Sequence, residues 1–209
     1  MKKRNLLVTL LLVLSLFVTA CGNGNPFVGK WTGKLDVTKQ FTDGIVANYP
    51  ELAEYVAFDE LSFIINIEFT NDEMTMSVEQ SSIDTFNANF TAGMESMGKA
   101  VLMKQLEEMD MTLEEAVAES GMDEEAYIES QLEAMQIYAM SDSMNEVTNE
   151  ALKGLSKVEG SYTFDEKNIT LFYADGSRED FGYVFEGDGL LISIAGQGYT
   201  LKIDCELQK

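Results

Sequence analysis

Apolar and polar residues alternate with a period of two in two separate stretches of the chain, the mark of half-buried β-strands. Near the start, Trp31, Gly33, Leu35 and Val37 alternate with Thr32, Lys34, Asp36 and Thr38. Leu61, Phe63, Ile65, Ile67 and Phe69 form a second inward set, and Asn71-Asp72-Glu73 turns the chain into a third strand with Met74, Met76 and Val78 inward. The pattern resumes late, in Tyr162/Phe164, Ile169/Leu171/Tyr173, Phe181/Tyr183/Phe185, Leu190/Ile192/Ile194 and Tyr199/Leu201/Ile203/Cys205. Asp175-Gly176, Gly187-Asp188-Gly189 and Gly196-Gln197-Gly198 punctuate these runs with residues that tolerate positive φ. Eight strands joined mainly by tight turns predict a meander, and eight is the number at which a sheet closes into a barrel filled by side chains or holding one small ligand.

The stretch between the two sets, residues 82–157, has a helical period. Ile83, Phe86, Phe90, Met94, Met97, Val101 and Leu102 recur at three- and four-residue steps. Thr112-Leu113-Glu114-Glu115 is a capping box, Gly121 a C-cap and Asp123 the start of a further helix with Ile128, Leu132, Met135 and Ala139 on one stripe. A smaller interruption, residues 40–60, predicts one helix with Pro50 in its first turn and Leu52, Tyr55 and Val56 on one face.

Composition narrows the chemistry. The 209 residues hold 14 basic and 36 acidic side chains and no histidine. Ser-His-Asp and Cys-His nucleophilic pairs are therefore excluded, as is every metal site that needs imidazole. At the N-terminus, basic Lys2-Lys3-Arg4 precedes an apolar run from Leu6 to Val18 that is too short to span a bilayer and reads as a secretory signal over 1–20. Val18-Thr19-Ala20-Cys21-Gly22 resembles the bacterial lipobox, which implies a lipidated Cys21, a membrane anchor through that lipid, and an extracytoplasmic place at the cell surface. Residues 21–26 then form a short tether. Removing 1–20 takes three bases from a net charge of −22 and leaves −25, which argues against nucleic acid and anionic headgroups as partners. Over residues 84–160, 17 acids stand against Lys99, Lys104, Lys153 and Lys157, so this segment alone contributes −13.

Gly29-Lys30-Trp31 on the first strand is similar to the Gly-x-Trp of lipocalins, where the tryptophan packs across one barrel end. With the lipobox and the helical insertions, the whole chain past the signal resembles lipocalin-like (calycin-like) bacterial lipoproteins of the Gram-positive type, a group that brings no assigned activity with it. The resemblance implies a mainly β fold: an eight-stranded antiparallel lipocalin-like barrel, strands 1–3 over 27–81 and strands 4–8 over 158–209, with the 82–157 helical subdomain inserted after the third strand. The acidic insertion and the lack of a C-terminal helix depart from true lipocalins. Locally, Met111 to Met135 resembles helix-turn-helix segments of trigger factor and SurA-type chaperones.

Carboxylate pairs such as Glu107/Glu108 and Glu114/Glu115 fall at helix starts and on polar faces, where acids are expected for solvation. No charged residue occupies an inward strand position, no calcium loop is present, and methionine pairs at helical spacing read as core more than as copper ligands. The expectation is thus a monomeric, non-enzymatic binding module without cofactor or metal. A hydrophobic small molecule or peptide would sit in a barrel mouth lined by Trp31, Tyr162, Tyr173, Tyr183 and Tyr199 and covered by both helical segments. The alternative is a holdase-like scaffold. Nine of the twelve methionines lie in the insertion, at 94, 97, 103, 109, 111, 122, 135, 140 and 144, and Met94, Met97, Met135 and Met140 are the residues that would engage another envelope protein.

Overall fold

The computed structural model describes residues 25–155, 158–195 and 200–208. Eight antiparallel strands close into a barrel in sequence order: β1 (Gly29–Asp36), β2 (Ser62–Phe69), β3 (Glu73–Val78), β4 (Val158–Phe164), β5 (Asn168–Phe172), β6 (Arg178–Glu186), β7 (Gly189–Ala195) and β8 (Thr200–Leu207). Closure is made by β8 pairing with β1, with Trp31 opposite Leu207 and Gly33 opposite Cys205. Inward parity follows the alternation read from the sequence, since side chains on a pleated strand point to opposite faces in turn. Trp31, Leu35, Ile65, Ile67, Phe69, Met74, Met76, Ile169, Leu171, Phe181, Leu190, Ile192, Ile203 and Cys205 are all buried.

The barrel is filled. A Cβ on Gly33 would come within 2.5 Å of both Cys205 Sγ and Ile203 Cγ2, so only glycine fits where β1 crosses β8. Burial, and secondarily the neighbouring Asp204 carboxylate, pushes the Cys205 thiol up to about 12 and leaves it an inert packing group.

Between β3 and β4 the chain forms four helices, α2 (Gln80–Glu108), α3 (Leu113–Ser120), α4 (Glu124–Ala134) and α5 (Ile137–Leu155), and α1 (Thr38–Asn48) follows β1. The capping signals act as read. Thr112 and Glu115 make a reciprocal capping box on α3, Gly121 ends it at φ 71°, and the Asp123 side chain accepts from Ala126 N–H to start α4. Two boundaries differ from the periodicity. The helix expected from Pro50 onward lies before it: Tyr49 leaves helical geometry (φ −136°, ψ 72°), since a following proline disfavours the α region, so α1 stops and Pro50–Leu52 is a single 3₁₀ turn. The stripe running from Ile128 to Ala139 is cut at Gln136, whose φ of 61° breaks α4 from α5.

All helices of the insertion gather at the barrel end where β1, β3 and β5 finish. The inner faces of α2 and α5 share one continuous core with the barrel, from Phe27 at the far end to Leu152. Phe86 of α2 stacks on Phe63 of β2 with centroids 4.6 Å apart. The helical segment is therefore the lid of the core and not an appended module. Leu102, Leu106 and Ala116 form a small satellite core that fixes α3 on the end of α2.

Candidate binding site

The two ends of the barrel are built differently. At the end opposite the helices, Phe27 is fully buried and inserts as a plug among Phe69, Tyr162, Phe164, Tyr183 and Phe185, with ring centroids 4.8 to 6.4 Å away. Trp31 Nε1 donates to the Phe27 carbonyl at 2.7 Å. The Tyr162 hydroxyl donates to the Thr70 carbonyl at 2.8 Å and accepts from Asn25 Nδ2, and Asn25 Oδ1 accepts from the Phe27 N–H at 3.1 Å. The Tyr183 hydroxyl donates to the Asp165 carbonyl at 2.7 Å. Burial first, with nearby acids adding to it, holds both phenols above their ordinary range, so they remain donors.

This corrects the expected mouth. Trp31, Tyr162 and Tyr183 close the barrel at the plugged end, with every polar tip already partnered. Tyr173 sits at the other end, in the β5–β6 hairpin, where its hydroxyl donates to Glu179; burial and that carboxylate push it up to about 12. Tyr199, like the lipidation candidate Cys21, lies outside the described residues. The four that are described do not form one site, and the helices cover the end away from Trp31.

An apolar groove is found instead beneath the helices. Its floor is an aromatic ladder that begins in the barrel: Phe63 against Phe86, Phe86 parallel to Phe90 at 6.1 Å, and Phe90 stacked on Phe58 at 5.3 Å. Phe41 of α1 packs edge-on against both Phe86 and Phe90. Gly93 admits the Phe58 ring, which a Cβ there would strike. Above this floor lie two adjoining chambers. The larger, about 500 Å³, is walled by Val37, Phe41, Gly44 and Ile45 of the α1 region, Phe90 and Met94 of α2, Met140 and Met144 of α5, and Leu201. The smaller, about 310 Å³, is walled by Leu52, Met97, Gly98, Val101, Met135 and Ile137. Tyr49 and Met140 line both, so the two chambers adjoin at these residues, which we call their waist. Each volume falls in the range of small-molecule sites.

Met94, Met97, Met135 and Met140, read from sequence as a surface for another protein, thus all line this groove. Phe41, Gly44, Ile45 and Tyr49 were missed, because the α1 helix that places Phe41 and Ile45 one turn apart was sought after Pro50.

The orientation of α5 explains why the groove stays open. Between its apolar anchors Ile137 and Leu152, the stripe turned toward α2 is polar: Ser141 is 1% exposed and shares a 2.8 Å hydrogen bond with Thr91, and Asn145 donates to Thr91 at 3.3 Å. Asn87 donates to Asn149 at 3.4 Å, while Asn87 Oδ1 and Asn145 Oδ1 are buried without partners. Meanwhile Met140, Met144 and Val147, spaced to fall on one side, are 41%, 38% and 61% exposed. A helix ordinarily buries its apolar stripe. Here that stripe faces the groove and solvent.

Among the described residues no cluster of three or more His, Cys, Asp or Glu could hold a metal ion, and no helix is long and apolar enough to cross a membrane. No protein-family profile, curated protein or solved structure matches this chain.

Proposed function

We propose that this protein is a lipid-anchored extracytoplasmic binding module, allied to the lipocalin-like lipoproteins, that holds a hydrophobic small molecule in the methionine-walled groove and performs no chemistry on it. The observation that carries this reading is the groove itself: about 500 and 310 Å³ of adjoining apolar space, the larger chamber walled in part by Phe41 and Phe90 of the aromatic ladder. Methionine suits such a wall because its unbranched, polarizable side chain adapts to varied apolar shapes. The lining carries no charged side chain and no Ser, Thr or Cys, and its one titratable group is the Tyr49 phenol. Engagement of another envelope protein is the weaker alternative, since Met94 and Met97 lie deep in the walls and are only 2% exposed.

Gly44 provides the test. A Cβ there meets no atom within 4 Å, so Gly44→Leu places an apolar branch at the wall of the larger chamber, where its first carbon has open space. Native mass spectrometry of residues 22–209 purified from the natural host should show a retained small molecule that Gly44→Leu loses. A protein that arrives empty and takes up no neutral apolar dye would overturn the proposal. Anchoring is tested separately by Cys21→Ser, which should move the protein out of the membrane fraction.

A further inference from the structure

Building on the groove reading, we infer that the occupant is a single-chain amphiphile with an uncharged or cationic, hydrogen-bond-donating head at Gln40. Its chain runs past the Tyr49–Met140 waist into the second chamber. Shape gives the first argument. Two chambers joined at a waist suit one extended chain better than a compact or fused-ring molecule, which would fill one chamber and leave the other empty.

The head follows from the polar groups. The larger chamber has few: Gln40, Asn48 and the Tyr49 phenol. Of these, Gln40 Oε1 is buried and accepts no hydrogen bond. A buried acceptor without a donor is costly, and a ligand hydroxyl, amide or ammonium would supply what is missing.

Charge excludes the commonest alternative, a fatty carboxylate or phosphate. No residue walling either chamber is charged. The lysines beside lining residues are engaged or turned away. Lys39 pairs with Asp43 at 2.5 Å, and Lys104 pairs with Glu54 at 3.0 Å while lying over the Tyr55 ring. Lys99 faces the Glu95, Glu124, Glu125 and Glu129 carboxylates, and Lys202 stands on the outer face of β8, opposite in parity to Leu201. With a surrounding helical segment at −13, an anionic head would be desolvated with no cation to meet it and repelled by the rim.

The experiment uses residues 22–209, which contain every described element, with the neutral dye N-phenyl-1-naphthylamine as reporter. Competitors are decanol, decylamine and decanoate at pH 7.5, below their aggregation concentrations. Decanol and decylamine should displace the dye at concentrations at least tenfold lower than decanoate. Each methylene added to the alcohol should tighten binding about fourfold until the second chamber is full. Gln40→Leu should weaken decanol about tenfold and leave the dye unaffected, and Gln40→Glu should shift preference toward decylamine.

Decanoate binding as tightly as decanol, or head-group preferences indifferent to Gln40, would overturn the inference while leaving the groove reading intact. Failure of the dye itself to bind would overturn the groove reading. A dimeric mass in solution, with dye uptake rising on dilution, would place a second copy of the chain in the groove and overturn both.

Discussion

The barrel and its helical lid share one core yet are packed to opposite standards. In the barrel, branched and aromatic side chains fill the interior to the point that Gly33 cannot carry a Cβ. The Phe27 plug seals the far end with each polar tip satisfied. In the lid and the adjoining α1, methionines wall an open groove, α5 turns polar residues inward, and three buried amide oxygens, of Gln40, Asn87 and Asn145, lack partners. Close packing gives a barrel one well-determined state, whereas adaptable walls and imperfect polar packing leave room for a guest. The open apolar space described above therefore lies in the lid, with the barrel as its foundation.

The contrast can be broken most sharply through Cys205. With the thiol held at about 12 and fully buried, alkylation at pH 8 should run more than about a thousandfold slower in the folded protein than in urea. Modification within minutes under native conditions would mean that the barrel opens as readily as the lid. Next in size, Phe27→Ala should cost about 3–5 kcal/mol in urea unfolding, by emptying the plug, and leave dye affinity unchanged. Weaker dye binding in that variant would show the two ends to be coupled. Gly44→Leu should do the reverse. Dye affinity should fall at least tenfold while stability holds or rises by about 0.5–1 kcal/mol, because a helix-interior glycine is replaced.

Asn145→Leu should stabilise the protein by about 1 kcal/mol, since it removes a buried acceptor without a partner at the modest cost of one long hydrogen bond; a loss of stability would make the polar stripe a true clasp. The smallest effect concerns Asp36, whose carboxylate accepts the Thr38 N–H at 2.9 Å and is held below the ordinary range by its bonds to Thr38. A depressed carboxylate stabilises the fold above its unfolded pKa and loses that contribution as pH falls through the folded one. Asp36→Asn should thus cost about 0.5 kcal/mol at neutral pH, this being a mostly exposed group, and nothing once pH has fallen through the lowered folded pKa, in acid titrations followed by circular dichroism.

Most of the barrel could be read from alternation because burial on one face of a pleated strand imposes a strict period. Met74/Met76 and Ile169/Leu171 obeyed it without exception. Local grammar was equally legible where a side chain makes the boundary, as at Thr112, Gly121 and Asp123. It failed where tertiary structure overrode propensity: Gln136 adopts positive φ with no glycine to announce it, and so cuts the stripe read as continuous from Ile128 to Ala139. The tyrosines misled because inward parity says nothing about position along the axis. It grouped Tyr173 with residues at the opposite end of the barrel.

The Asn25–Phe27 turn also sets the posture of the molecule. Three residues lie between Cys21 and Asn25, so four Cα steps join them, a reach of at most about 14 Å. An acylated Cys21 would thus hold the plugged end close against the bilayer. Strands of eight residues then raise the methionine groove by a barrel height, roughly 20–25 Å, and turn it outward. So anchored, the groove would open away from the bilayer, toward amphiphiles arriving from outside and not toward lipid of the anchoring membrane.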